Sequence, residues 1–197
     1  MSKAKTLSDI ELTKLLSHLK TTKNPKRNRL MVLFTYWGGM RVGEVAALKV
    51  KNVLNDDGTL KSEVYLEPYQ TKGNHARVVY LPEKLLVEIE NYLNANLLIK
   101  SNRELPLFMP ERGFKGDLNV SGFTADSLTH AFMRFYRNAG IENASSHSGR
   151  RTFITNLASK GVSARVLQEL AGHKHLSTTQ QYIDINDEMK RKALELL

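Results

Sequence analysis

Residues 63–82, EVYLEPYQTKGNHARVVYLP, decide the fold class. EVYLE and ARVVYLP alternate apolar and polar positions and favour β-branched and aromatic residues, while TKGN between them carries turn formers. The segment therefore reads as strand, tight turn and strand, with Lys72 exposed at the loop tip and Pro82 ending the second strand because it has no N–H for a ladder. Upstream, NDDG at 55–58 makes a turn between two extended stretches. Outside this region the apolar residues recur at helical spacing. Ser8 and Glu11 form a capping box that starts a helix ending near Lys20. The run RLMVLFTYW is apolar enough for a buried helix stopped by Gly38 and Gly39, and a further helical stretch covers Val42 to Leu48. An amphipathic helix is expected from Pro82 to Ile99, with Leu85, Leu86, Ile89, Leu93 and Leu97 on its apolar stripe. Residues 100–123 read as loops, with a short strand at Leu107–Met109. From Ala125 onward the chain reads as helices near 125–139, 147–160, 163–171, 178–185 and 187–196, separated by Gly140, Gly161 and Gly172. One α+β domain follows, mainly α, with a small antiparallel sheet at one edge.

The 197 residues are 41% apolar and 25% charged, ordinary values for a globular chain. Charge balance is not ordinary: 29 Lys and Arg against 20 Asp and Glu give +9, which favours an extended polyanion, nucleic acid first, as partner. No cysteine is present, which excludes disulfides and thiolate metal sites and fits a reducing compartment, the cytoplasm. The N-terminus carries no apolar leader, and no run approaches the roughly 18 apolar residues of a membrane span.

Splitting a phosphodiester without a metal needs a nucleophile, cations on the phosphate oxygens and a proton donor for the leaving alkoxide. Arginine suits the second role, since its planar fork holds two oxygens and stays charged. Arg41 lies in GGMRVGEVAAL, where Glu44, one helical turn on, is placed to orient the guanidinium. Taken alone, that pair reads as an ordinary surface ion pair. His147 and Arg150 in SSHSGRRTF share i,i+3 spacing and project from one helix face, whereas Arg151 points about 100° away around the helix. His173 and Tyr182 lie in LAGHKHLSTTQQYI, with Ser177 as the expected N-cap of the helix that carries the tyrosine. A tyrosine in such a place is, by itself, more often a half-buried amphipathic residue than a nucleophile. A phenol titrates near ~10 in model peptides, so attack at neutral pH needs cations or a base nearby. His147, His173 and His175 also offer a metal-hydrolase reading, against which stands the lack of an accompanying carboxylate cluster.

These residues resemble the tyrosine recombinases, also called phage-type integrases. GGMRVGEVAAL is similar to the family's first-arginine motif, TKGNHARVVYLP to its hairpin with a lysine, HSGRRTF to its His-x-x-Arg motif, and LAGHKHLSTTQQYI to the box ending in its tyrosine. The four occur in the family's order between residues 36 and 183. The resemblance implies the family's catalytic fold and a chain that is one catalytic domain over 1–197, without the additional DNA-binding domain that members commonly carry. It implies that Arg41 and Arg150 clamp the scissile phosphate and that Tyr182 attacks it to give a 3′-phosphotyrosyl link. Lys72 then protonates the 5′-oxygen, His147 assists proton transfer at the tyrosine, His173 hydrogen-bonds a phosphate oxygen, and Glu44 supports. Double-stranded DNA is the implied partner, with a tetramer assembled on it, no metal or nucleotide cofactor, no small-molecule substrate, and a prokaryotic, nucleoid-associated setting. The last helix, with Ile185, Met189, Ala193 and Leu196 on one stripe, would dock on a neighbour or on its own core. Arg151 stands where the family often has histidine, and little effect is expected from it. A type IB topoisomerase and a non-catalytic DNA-binding relative are the competing classes.

Overall fold

A computed structural model describes residues 4–111, 121–183 and 194–195. Helix α1 (Asp9–Lys20) opens on the expected capping box, with Ser8 Oγ accepting from Glu11 N–H at 3.2 Å and Glu11 Oε2 accepting from Ser8 N–H at 3.0 Å. Helix α2 (Pro25–Tyr36) begins at a proline whose missing N–H costs nothing there. Its residues from Leu30 to Tyr36 are all buried, so it is the central rod of the core. After Gly38 and Gly39 come α3 (Val42–Ala46) and α4 (Val50–Val53).

Strands β1 (Glu63–Leu66) and β2 (Arg77–Tyr80) pair antiparallel, Glu63 opposite Tyr80 and Leu66 opposite Arg77. The expected sheet is present, but its connection is not a tight turn. Pro68 ends β1 and a 3-10 turn, Pro68–Gln70, follows, because Gln70 turns inward and donates from Nε2 to Ala47 O at 2.7 Å. The Lys72 loop comes only then, closed by Thr71, whose hydroxyl lies 3.0 Å and 2.7 Å from the Pro68 and His75 carbonyls. Gly73 and Asn74 take positive φ there, 99° and 56°, conformations open to glycine and tolerated by asparagine.

The long helix expected from Pro82 to Ile99 is two helices, α5 (Glu83–Asn94) and α6 (Leu97–Lys100). Asn96 breaks it: its side-chain amide donates to Tyr92 O at 2.7 Å, competing with the helix for that carbonyl. Leu97 thereby leaves the buried stripe and is 68% exposed. Leu107, Phe108 and Met109 are buried without forming a strand: a single bridge pairs Lys49 with Pro106, flanked by Leu107 N–H to Leu48 O at 2.8 Å and Val50 N–H to Leu105 O at 3.0 Å, and the partner segment turns into α4 at Val50.

Helices α7 (Ala125–Asn138), α8 (Ser148–Ser159) and α9 (Ala164–Ala171) match the expected spans closely. Helix α10 (Leu176–Gln180) does not: His175, not Ser177, stands at its N-cap, and it ends before Tyr182. The buried Thr179 explains the shift, as its hydroxyl meets His173 Nδ1 at 2.9 Å and draws the first turn toward His173. The stripe Ile185, Met189, Ala193 and Leu196 lies outside the described residues. Among the described residues no helix is long and apolar enough to cross a membrane.

Helix α8 lies against α2 at Gly149, where an added Cβ would come within 2.2 Å of Thr35 Oγ1. Thr35 is fully buried and bonded back to Val32 O at 2.8 Å, so it cannot swing away. This close approach sets the depth at which the next residue, Arg150, enters the molecule. Gly149→Ala is expected to lose about 1–3 kcal/mol by overpacking, more than the ~1 kcal/mol that alanine gains in helix propensity. Urea denaturation should show a lower midpoint, partly restored by adding Thr35→Ala; an unchanged midpoint would contradict the packing account.

Candidate active site

Helix α9 ends on Gly172 in the left-handed conformation, φ 61° and ψ 49°. A helix terminus leaves carbonyls without intrahelical partners and carries the negative end of the dipole. Three arginines from three different elements take those carbonyls. Arg77 of β2 donates to Leu170 O at 3.1 Å, Arg150 of α8 donates to Ala171 O, and Arg41, which precedes α3, donates to Gly172 O at 3.1 Å.

Glu44 of α3 lies between two of them. Its Oε1 accepts from Arg41 Nη1 at 2.8 Å and from Arg77 Nε at 3.1 Å, while Oε2 accepts from Arg77 Nη2 at 2.7 Å and from the Arg41 backbone N–H at 2.8 Å. The residue is 1% exposed, so this is not the surface ion pair that spacing alone allowed. Burial pushes its carboxyl upward, but the Arg77 hydrogen bonds and charge, the Arg41 N–H and the Arg150 charge together hold it below the usual range. Arg77 is absent from the sequence-level candidates. A signal existed: Arg77 shares the inward phase of β2 with Val79, opposite buried Leu66, and an arginine on a core-facing phase requires a buried counter-ion.

Arg150 is 5% exposed, its Nη1 donating to Gly39 O at 2.6 Å. Gly39 must be glycine, because its φ is 62° and a Cβ would meet the Phe153 ring at 2.5 Å. Burial, then the charges of Arg41 and Arg77, lower Arg150 to about 9, which still leaves it cationic at neutral pH. The Arg41 side chain is 23% exposed and opens into a cleft of about 480 Å³ shared with Lys72, Tyr69 and His147. Lys72 is exposed on its loop, as expected. His147 stands at the N-cap position of α8, one residue before the helix proper. Its pKa is lowered by the partial desolvation of the ring and by the Arg150, Lys72 and Arg41 charges.

His147 also lines a second cleft of about 390 Å³, with Tyr182, Arg151 and Gln181. His173 is buried beside it, its Nδ1 on Thr179 and its carbonyl accepting from Gln168 Nε2 at 3.0 Å. Burial, then Arg150, Arg41 and Arg77, lower its pKa to about 4, so the ring is neutral at pH 7. The Tyr182 ring stacks on the His173 ring with centroids 5.7 Å apart and planes 22° apart. Arg151 is not remote: its guanidinium carbon is 5.3 Å from the centroid of the Tyr182 ring. All seven residues singled out from the sequence thus flank two adjoining clefts or stand directly behind them. His175, by contrast, is exposed while His173 is buried, and no three potential metal ligands converge among the described residues.

Such a set presents fixed cations around a space, a neutral imidazole, an exposed amine and a phenol, the groups needed to handle an esterified phosphate. The chain belongs to the phage integrase family, which it matches over residues 5–189. A curated relative, tyrosine recombinase XerA of Thermococcus kodakarensis, is 35% identical over 191 residues, 97% of this chain and 62% of the relative. The crystal structure of a XerA recombinase superposes with a TM-score of 0.73 at 23% identity, covering 99% of this chain and 66% of that one. A XerH site-specific recombinase bound to a palindromic difH substrate in a post-cleavage complex superposes with a TM-score of 0.71 at 25% identity, covering 96% and 51%. The chain spans about three fifths of the length of the curated relatives it matches.

Replacing Glu44 with Gln leaves buried guanidiniums without their counter-charge and is expected to cost about 3–5 kcal/mol, read as a drop in denaturation midpoint; a loss below about 1 kcal/mol would show that the carboxylate is dispensable. His173 predicts a pH effect. Unfolded, it titrates near ~6.5; folded, near 4. The unfolded chain therefore binds the extra proton first, and stability falls as pH drops from about 6.5 toward 4. His173→Gln should flatten that slope, and a native imidazole titrating near ~6.5 by NMR would refute the assignment.

Proposed function

We propose that this chain is the catalytic part of a DNA strand-exchange enzyme, a tyrosine-type site-specific recombinase that cuts and rejoins double-stranded DNA without metal or nucleotide cofactor. The observation that carries this reading is the placement of the Tyr182 ring on His173 within the same chain that fixes Arg41 and Arg150 at the end of α9. In this reading the two arginines hold the non-bridging oxygens of one phosphate, and the Tyr182 hydroxyl oxygen attacks phosphorus. As the new O–P bond forms, the bond to the 5′-oxygen breaks, and Lys72 donates the proton that the leaving oxygen takes. His147, kept unprotonated by its lowered pKa, receives the phenolic proton. His173, its Nδ1 occupied by Thr179, offers Nε2–H to a phosphate oxygen. Glu44 orients Arg41. The phosphotyrosyl bond conserves the energy of the broken ester, and a 5′-hydroxyl of a second strand reverses the step.

Support also comes from the relatives, named as recombinases, one of them bound to its DNA substrate. The net charge of +9 suits a duplex partner. We further assign the chain to the catalytic domain of such a protein, acting in a prokaryotic cytoplasm at the nucleoid and assembling as a tetramer on DNA.

The test uses nicked duplexes carrying the site that the protein selects from a random-sequence pool. Tyr182→Phe should bind the duplex yet form no covalent adduct, and an adduct surviving the change would move the nucleophile elsewhere. Arg41→Lys, which keeps the charge but loses the two-pronged fork, should slow adduct formation by about 10²–10³-fold with little change in DNA affinity. Equal losses in rate and affinity would contradict a role in the transition state. In this reading the phenol serves its own chain's site, so mixing Tyr182→Phe with Arg150→Gln protein should not restore cleavage; restoration would mean that the tyrosine is donated between subunits.

A further inference from the structure

The ring of Tyr182 is not held by its own helix. The residue follows the C-cap of the five-residue α10, where its N–H donates to Thr179 O at 3.0 Å and the next N–H, that of Ile183, donates to Gln180 O at 3.1 Å. Those bonds fix the backbone and leave the side-chain torsions to whatever touches the ring. Two groups do so. The His173 imidazole stacks on it, and the Arg151 guanidinium stands over it at 5.3 Å, inside the roughly 6 Å range of cation–π attraction. His173 is itself tied to Thr179 and Gln168, both on the α9–α10 side. Arg151 reaches from α8, the helix that carries Arg150.

We propose that Arg151 is a positioning residue for Tyr182, its guanidinium and the His173 imidazole together fixing the plane of the phenol ring beside the cleft. This rests on the reading of Tyr182 as the nucleophile. Consecutive residues on a helix diverge by about 100°, so Arg150 enters the core toward α9 while Arg151 lies outside it along the wall of the second cleft. One helix thereby indexes both the phosphate clamp and the attacking group, and the distance between them becomes a property of α8. Attack demands a near in-line approach, and small misplacements of the attacking atom cost rate steeply. A lysine at this position would keep the charge but not the flat face.

The experiment uses the full chain labelled with 3-fluorotyrosine, the Tyr182 fluorine signal being assigned by its loss in Tyr182→Phe. In Arg151→Met, which keeps an unbranched apolar stem and loses the charge, that one signal should move toward the shift of an exposed tyrosine and narrow, while the other tyrosine signals stay in place. Arg151→Lys should lie between. On the selected nicked duplex, adduct formation at saturating DNA should slow about three- to tenfold in Arg151→Met and be partly recovered in Arg151→Lys, with the duplex Kd within about twofold of the parent. An unmoved Tyr182 signal overturns the proposal. So does a rate loss matched by weaker binding and a shallower salt dependence, which would make Arg151 a phosphate contact. If the signal moves as expected but no variant, the parent included, forms an adduct, the positioning stands and the nucleophile reading fails.

Discussion

The structure depends on one arrangement of charge, the buried carboxylate of Glu44 and the three carbonyls at the end of α9 facing three guanidiniums. Like charges about 5 Å apart repel by roughly 3 kcal/mol at an effective dielectric near 20, and desolvation adds to that cost. Three arginines would not assemble in a protein interior unaided. Glu44 neutralises one of them and the helix terminus supplies partial negative charge to all three. Two positive charges remain unbalanced, with Arg41 the member facing the cleft. An anion placed there would offset part of the residual repulsion. The depressed pKa values of His147 and His173 come after burial from the same surplus, which keeps both rings neutral at pH 7.

Fixed and loosely held groups divide by task. Arg150 and Arg77 are embedded in the core and bonded to backbone carbonyls, so the field at the cleft is set before anything binds, the condition under which electrostatic stabilisation costs no reorganisation. Lys72 and Tyr182, the groups assigned to proton donation and attack, sit on a loop tip and just past a five-residue helix. Each is nevertheless registered to the frame by a short chain of contacts: Thr71 and Gln70 behind Lys72, His173 and Arg151 around Tyr182.

Much of this was legible in the sequence because apolar spacing and backbone punctuation carried it. The Ser8–Glu11 box, the buried run from Leu30, the glycine stop at Gly172 and the pair of arginines all follow from local chemistry. What was not legible depended on polar side chains bonding to the backbone. Asn96 splits the helix expected to reach Ile99, Gln70 converts a tight turn into an anchored one, and Thr179 displaces the cap expected at Ser177. Periodicity counts apolar residues and is blind to such bonds. Arg77 is hidden from periodicity for the opposite reason, a charged residue on an inward strand phase, and the helical angle of Arg151 locates its Cα but not the end of a long side chain.

The same reasoning shows why α9 must stop where it does. Its last carbonyls can face three arginines only if the backbone turns away at once, and Gly172 makes that turn in a conformation that disfavours side chains. A Cβ there would meet Arg77 Cδ at 2.5 Å. Displacing Arg77 would loosen its hold on Glu44, and through Glu44 the orientation of Arg41, while the next residue, His173, would lose its register with Thr179 and Tyr182. The arginine cluster and the support of Tyr182 therefore share a single backbone turn. Arg151, reaching Tyr182 from α8, is the second link between those two halves, and it closes a loop of contacts that helix termini alone would leave open.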